Sequence, residues 1–213
     1  GCRTGGMAKI LGRRGGIDQL IQSDLSYEMV AQAGSGSIVA DEEFLPFALN
    51  SFDLVLSNLT LHWVNDLPGA LMQIRQCLKP GGLFLATMLG GETLKELRQS
   101  LAHGEARVDG GLSPRVSPFS DIRDAGNLLQ RADFTLPVAD LETITVSYPD
   151  PFKLMSDLRG MGESNAVLNS RKSFTSRNLL MQTANHYIEK YTEADGRIPA
   201  TFHVITLTAW VEE

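Results

Sequence analysis

The sequence is short of several things that would give away a function at once. Its two cysteines, Cys2 and Cys77, lie far apart and neither belongs to a CxxC pair. That argues against a disulfide framework and a thiolate zinc site, and fits a reducing compartment. Basic residues are in deficit, 19 Lys and Arg against 25 Asp and Glu, for a formal charge of -6. A nucleic-acid surface needs clustered cations with few acids between them, so no nucleic-acid partner is expected. No apolar run approaches the ~20 residues of a membrane-spanning helix, and the opening residues lack the cationic, then apolar, order of a secretory signal. A soluble protein with no membrane span is expected. Only four histidines occur, His62, His103, His186 and His203, and no spacing among them reads as a metal site. Internal repeats, low-complexity segments and the Gly-Lys-Ser/Thr of a phosphate-binding loop are all missing.

What is present is a chain of 213 residues, 43% apolar, long enough to bury one substantial core and read as a single domain. Through the first ninety residues, short apolar runs alternate with helical patterns, the rhythm of a βαβ protein with a parallel sheet. Residues 6 to 15 read as a helix, 19 to 23 as a buried strand, 27 to 33 as a helix, and 37 to 40 and 52 to 57 as strands. A helix from Leu67 to Leu78 is expected to stop at KPGG, where proline cannot continue it and the glycines turn the chain; residues 82 to 89 form the next strand. Beyond that come a helix near 93 to 102, a Gly/Ser/Pro loop (DGGLSPRVSP) and a helix over 121 to 132. Residues 141 to 148 and 201 to 211 alternate as strands. A helical insert, about 151 to 191, separates them. Two late, alternating strands point to an antiparallel hairpin at the edge of a mostly parallel sheet. The fold class is therefore α/β, Rossmann-like.

The opening GCRTGG, followed at once by a helix, sets a glycine-rich loop on a helix N-terminus, where backbone N–H groups receive a polar ligand group. A dinucleotide site wants GxGxxG, but Arg3 holds the place of its middle glycine, which disfavours NAD. Asp24 ends the second run, where such a sheet presents an acid to a ribose diol. ADEE follows at the end of the third strand, with Asp41 and Glu42 placed to meet an adenine. Each acid alone reads more often as a solvated loop carboxylate. Three ligand-competent loops in order at strand C-termini form a pattern.

That pattern resembles the class I S-adenosylmethionine (SAM)-dependent methyltransferases. The resemblance implies a seven-stranded sheet ordered 3-2-1-4-5-7-6 with SAM at the strand C-termini. Gly1, Arg3 and Gly5 would line the methionine part, Asp24 the ribose, and Asp41 with Glu42 the adenine. In SNLTLHWVNDLPGAL, Asn58 would lie near the transferable methyl, with His62 and Trp63 further along. Downstream, ADEEFLPF, SNLTLHWVNDLP, LGGETLKELR, GGLSPRVSPF, DLRGMGESNA and DGRIPATF are similar to the mitochondrial assembly factors that hydroxylate an arginine in respiratory complex I, and to their bacterial relatives. Methyltransferases that act on a malonyl carrier protein in biotin synthesis are more distant. The resemblance thus implies SAM as cofactor and either a methyl acceptor, small or protein-bound, or a complex I subunit as partner. The compartment would be the bacterial cytoplasm or the mitochondrial matrix.

Methyl transfer needs in-line positioning and, for a protonated nucleophile, a base. Asn58 and His62 are the candidates for that work, with His62 read equally as a packing group beside Trp63. His186 and His203 read as packing or surface groups, and Cys2 as a small apolar filler. GMGESN (160 to 165) and SPRVSPF (113 to 119) sit in turns and are placed near the substrate, against the plainer reading of a capped helix end and a surface charge at Arg115. Met155, Leu158 and Met161 have core spacing. A sheet of this order has its first strand immediately before the glycine loop; the expectation is that the natural protein carries an N-terminal segment supplying that strand.

Overall fold

The computed structural model describes residues 1–12, 16–108, 110–111, 113, 115–116, 121–163 and 175–213. The chain divides into two compact units: Gly1–Leu89 with Ser120–Leu141 and Ile205–Glu213, and Gly90–Phe119 with Glu142–Val204.

In the first unit, α1 (Gly6–Leu11) leads to β1 (Gln22–Asp24), α2 (Tyr27–Ala33) and β2 (Ser37–Val39). β1 and β2 pair in parallel as a two-stranded sheet, Asp24 opposite Val39. β3 (Phe52–Asn58), α3 (Leu67–Cys77), β4 (Leu78–Leu89) and α5 (Ile122–Arg131) follow, with α4 (Lys95–Val108) in the second unit. A second sheet has the order β3-β4-β6-β5, where β5 is Thr135–Tyr148 and β6 is Ile198–Trp210. β3 and β4 are parallel. β4 and β6 run antiparallel, since Gly81 N donates to Val211 O and Gly90 N to His203 O. The late pair is antiparallel as expected: Thr135 reaches Trp210 O, and at the other end Arg197 reaches Ser147. The described strands thus form two sheets, β1-β2 and β3-β4-β6-β5, rather than the single seven-stranded sheet that the resemblance implies.

Several element ends differ from the sequence reading. α1 closes at Leu11, because Gly12 leaves the helical region at φ 51°; residues 13–15 lie outside the described ones. β1 begins only at Gln22, and Leu20 and Ile21 are each 37% exposed rather than buried. KPGG does not separate a helix from a strand. α3 ends at Cys77 and β4 begins at once, with Leu78 opposite Phe52 and Leu83 opposite Leu54; the excess residues on β4 form a bulge, and Gly81 at φ 73° takes the bend. The expected 93–102 helix is α4, longer and later. β5 and β6 both start earlier than their alternation indicated.

Local chemistry explains the rest. Asp66 caps α3 by accepting from Gly69 N, with Pro68 in the first turn, and Asp121 caps α5. α3 and α5 bury their apolar faces on β4 and β6, where Leu71, Phe84, Met88, Leu129, Ile205 and Leu207 are fully buried. Each such side chain contributes roughly 1.5–3 kcal/mol. Phe84 and Phe134 stack at 5.4 Å. α1 and α2 bury no residue.

The second unit has its own apolar cluster. α4, α6 (Pro151–Met161) and α7 (Arg177–Tyr191) gather Leu94, Leu97, Leu154, Leu158 and Tyr187 around Tyr148, Ile198 and Ala200. Met155 packs against this cluster, but Met161, expected in the core, is 41% exposed in the last turn of α6. Edge strand β5 carries Leu136, Val138, Asp140, Glu142, Ile144 and Val146 at alternate positions, all exposed.

Candidate functional site

The glycine loop is held to the end of β1 by two bonds and closed on itself by a third. Cys2 N donates to Ser23 O (2.7 Å), Arg3 N donates to Asp24 Oδ2 (2.7 Å), and Gly5 N closes the turn on Cys2 O (3.0 Å). Asp24 Oδ1 accepts from Ser26 N (3.0 Å), and Ser26 in turn caps α2. The Asp24 carboxylate therefore joins the loop before α1 to the N-terminus of α2. Each of its oxygens receives one amide and keeps a lone pair for a further donor.

Two glycines are needed where they stand. A Cβ on Gly1 would lie 2.1 Å from Thr60 Cγ2, inside contact distance of a side chain on the loop after β3. Gly5 has φ 76°, and its Cβ would meet Ala33 O at 3.0 Å. Arg3 sits at φ 49°, a conformation that glycine adopts freely and arginine does not. Where the methyltransferase pattern has glycine, this chain keeps the glycine-like backbone with a cationic side chain. Cys2 is half-buried, and burial, then the Asp24 charge, push its thiol up. It is accordingly no reactive thiolate.

The acidic loop after β2 is also built from backbone. Asp41 Oδ1 accepts from Glu43 N (2.9 Å), and Asp41 O accepts from Phe44 N. Ala40 N donates to Asp24 O (3.0 Å), bringing this loop beside the end of β1. Sequence reasoning missed what holds this loop. Glu43 Oε1 accepts from both Asn65 N and Asn65 Nδ2, and the Gln73 carboxamide donates to Glu43 O and accepts from Leu45 N.

Asn58 closes β3, and Leu59 turns away at φ 53°. Thr87 Oγ1 donates to Asn58 Oδ1 (2.7 Å) and accepts from Leu59 N (3.2 Å). The carbonyl of Asn58 accepts this one bond, which orients the carboxamide and leaves its NH2 group available to a ligand. Ser57 and Thr60 hydroxyls pair at 2.9 Å. His62 lies in the 3-10 turn Leu61–Trp63, half-buried, with its ring 5.6 Å from that of Trp63.

The structure thus brings Gly1, Arg3, Gly5, Asp24, Asp41, Glu42 and Asn58 together at the C-terminal ends of β1, β2 and β3, with Thr60 against Gly1. Thr87, Thr60, Glu43 and Gln73 were not found from sequence. In the second unit, Arg115 is no free surface charge: its Nε lies 2.5 Å from Glu105 Oε1, a carboxylate 1% exposed that also accepts from Ser113 N and Ser113 Oγ. Gly162, at φ 82°, closes α6 as a helix cap. Ser164 and Asn165, and Pro114 and 117–119 of the other segment, lie outside the described residues. Among the described residues no group of three His, Cys, Asp or Glu is placed to hold a metal ion.

Known proteins resemble this chain in sequence and in fold. A methyltransferase domain model matches residues 1–86. The human protein named arginine-hydroxylase NDUFAF5, mitochondrial, is 45% identical over 215 residues, 99% of this chain and 62% of that protein; the Danio rerio protein of that name is 45% identical over 91% of this chain, again spanning 62% of its relative. The chain therefore covers less than two thirds of these relatives. Malonyl-(acyl-carrier protein) O-methyltransferase of Xylella fastidiosa is 35% identical over 99% of this chain and 72% of that protein. Among solved structures, YcgJ of Bacillus subtilis superposes with a TM-score of 0.67 at 16% identity, covering 100% of this chain and 90% of its own. Phosphoethanolamine N-methyltransferase 2 of Haemonchus contortus, in complex with S-adenosyl-L-methionine, gives 0.56 at 20% identity over 100% of this chain and 47% of its own. At these identities the likeness is one of fold.

Proposed function

Because the chain belongs to the class I SAM-dependent methyltransferases, we propose that it binds SAM along the C-terminal ends of β1 to β3 and directs a methyl group to an acceptor held beyond Asn58. The carrying observation is the Arg3–Asp24 bond, which ties the glycine loop to the one acid at the end of β1.

The residues present fit this cofactor. Gly1 and Gly5 leave no room for a Cβ, and the chain is drawn close against Thr60 and Ala33 there. Asp24 retains acceptor capacity for a ribose diol, Asp41 and Glu42 offer the polar edge an adenine needs, and Asn58 keeps an amide donor beside the methionine end. SAM, when bound, supplies an electrophilic methyl on a sulfonium. The protein's own work is to orient the two reactants and exclude water, which is sufficient for a rate enhancement of several powers of ten. His62 would take a proton from the acceptor where that acceptor carries one.

Titration calorimetry with SAM tests the site, and transfer of label from methyl-labelled SAM to a partner in a cell extract tests the reaction. Binding that is unaffected by Asp24→Ala would overturn the assignment.

A second reading is favoured by the higher identity, 45% against 35%, to proteins named arginine-hydroxylase. In it the SAM-binding fold serves a protein arginine as substrate, in a respiratory complex I subunit, and one arginine C–H bond becomes C–OH at the expense of dioxygen and a two-electron reductant, the second oxygen atom leaving as water. The two readings separate by mass: one yields a methylated acceptor and S-adenosylhomocysteine, the other an oxygenated arginine with neither.

A further inference from the structure

Away from the cofactor site, α4 and α7 of the second unit approach unusually closely. A Cβ on Gly104 would lie 2.6 Å from Thr183 Oγ1 and 3.2 Å from Leu179 O, so the Thr183 side chain of α7 sits directly against the α4 backbone. That approach stacks His103 on His186, ring centroids 4.1 Å apart with planes at 21°. The two imidazoles form part of the wall of a hollow of about 590 Å3, completed by Arg107, Lys190, Gln182, Asn185 and Glu189.

The charge here is one-sided. Two imidazoles, a guanidinium and an ammonium meet a single carboxylate among the described lining residues. Arg107 makes no ion pair with any described residue. Lys190 Nζ is held by Gln99 Oε1 (3.0 Å) and lies over the Tyr191 ring. His186 Nδ1 lies 3.1 Å from Ser100 Oγ, which leaves Nε2 uncommitted. Burial lowers the His186 pKa, and the charges of His103, Lys190 and Arg107 lower it further, with Glu189 opposing. Tyr191 meets its ring edge-on at 6.4 Å. A cation would meet repulsion from Arg107 and Lys190. A compact anion would find four cationic or imidazole donors and two carboxamides.

We infer that this hollow is a binding site for a compact dianion, a phosphate ester in chemical class, and that its affinity rises as the histidine pair protonates. Histidine Hε1 resonances report it directly. Sulfate, dianionic across the range, is titrated at pH 6 and pH 8, with inorganic phosphate beside it and chloride at equal ionic strength as reference. Sulfate and phosphate are expected to move His103 and His186 and to raise the apparent pKa of His186, with sulfate binding at least about fivefold tighter at pH 6. Arg107→Gln and Lys190→Gln, both at exposed positions, are expected to lose most of that binding. Vesicles with and without phosphatidic acid decide the source: sedimentation with the acidic vesicles makes the ligand a lipid headgroup, and its absence a soluble ester. Resonances that stay put, shifts equal to those in chloride, or zinc moving the pair where sulfate does not would each overturn the proposal. Were either variant to lose its circular dichroism, the wild-type titration alone still decides.

Discussion

Arg3 donates its backbone amide to the carboxylate of Asp24 while holding a left-handed backbone, φ 49°. One acid thus fixes the geometry of a loop whose middle position is not glycine. The ligand-binding role proposed for Asp24 and its structural role are therefore coupled.

Asp24→Ala removes both accepted amides and the proposed ribose contact. Hydrogen bonds to a charged group contribute about 1.5–3 kcal/mol each, so SAM affinity is expected to fall by at least about tenfold. Asp24→Asn, which keeps one acceptor oxygen, is expected to fall between. Calorimetry on the three proteins checks the order.

Gly5→Ala forces a side chain into the left-handed region and against Ala33 O. The expected cost is about 1–2 kcal/mol, read as a lower melting temperature together with weaker SAM binding. A melting temperature equal to wild type would show that the turn relaxes.

Thr87→Val releases the Asn58 carboxamide without touching the glycine loop. The proposed role for Asn58 predicts kcat reduced by about tenfold with SAM affinity within about twofold of wild type. Equal losses in both would make Thr87 a structural support for the whole site.

Glu105 supplies a pH dependence. Burial pushes its carboxyl up, but the Ser113 hydroxyl and amide and the Arg115 guanidinium outweigh burial and hold it below the ordinary value. A folded pKa below the unfolded one gives stability that is present above the unfolded value and lost as pH falls through the folded one. Protection against hydrogen exchange in residues 95–108, corrected for the intrinsic rate, should fall below about pH 4.5. Glu105→Gln should show faster exchange at neutral pH and a flatter acid response.

How legible the molecule is from its sequence depends on how far apart the deciding partners lie. α2 is bounded where the sequence places it because Ser26, at its start, and Gly34, just past its end, are local signals. Asp24 and Asp41 are legible for the same reason: strand ends followed by turns sit next to them in the chain. Thr87 and Gln73 act on Asn58 and Glu43 from about thirty residues away, and nothing in a threonine or a glutamine marks that use. KPGG misled because proline and glycine stop a helix and shape a bulge alike, and only pairing with β3 distinguishes the two. Arg115 looked like a surface charge because its partner, Glu105, is hidden inside a helix pattern that gives no hint of a buried acid.

The alternation along β5 bears on how the protein behaves in a crowded compartment. Leu136, Val138, Ile144 and Val146 on an open sheet edge are an invitation to stack strand on strand, and Asp140 and Glu142 interrupt them midway. Two negative charges at the centre make any such stack pay electrostatically, as gatekeepers do. Neutralising both, by Asp140→Asn with Glu142→Gln, should make the chain cloud at a lower concentration than wild type, with the folded state itself untouched.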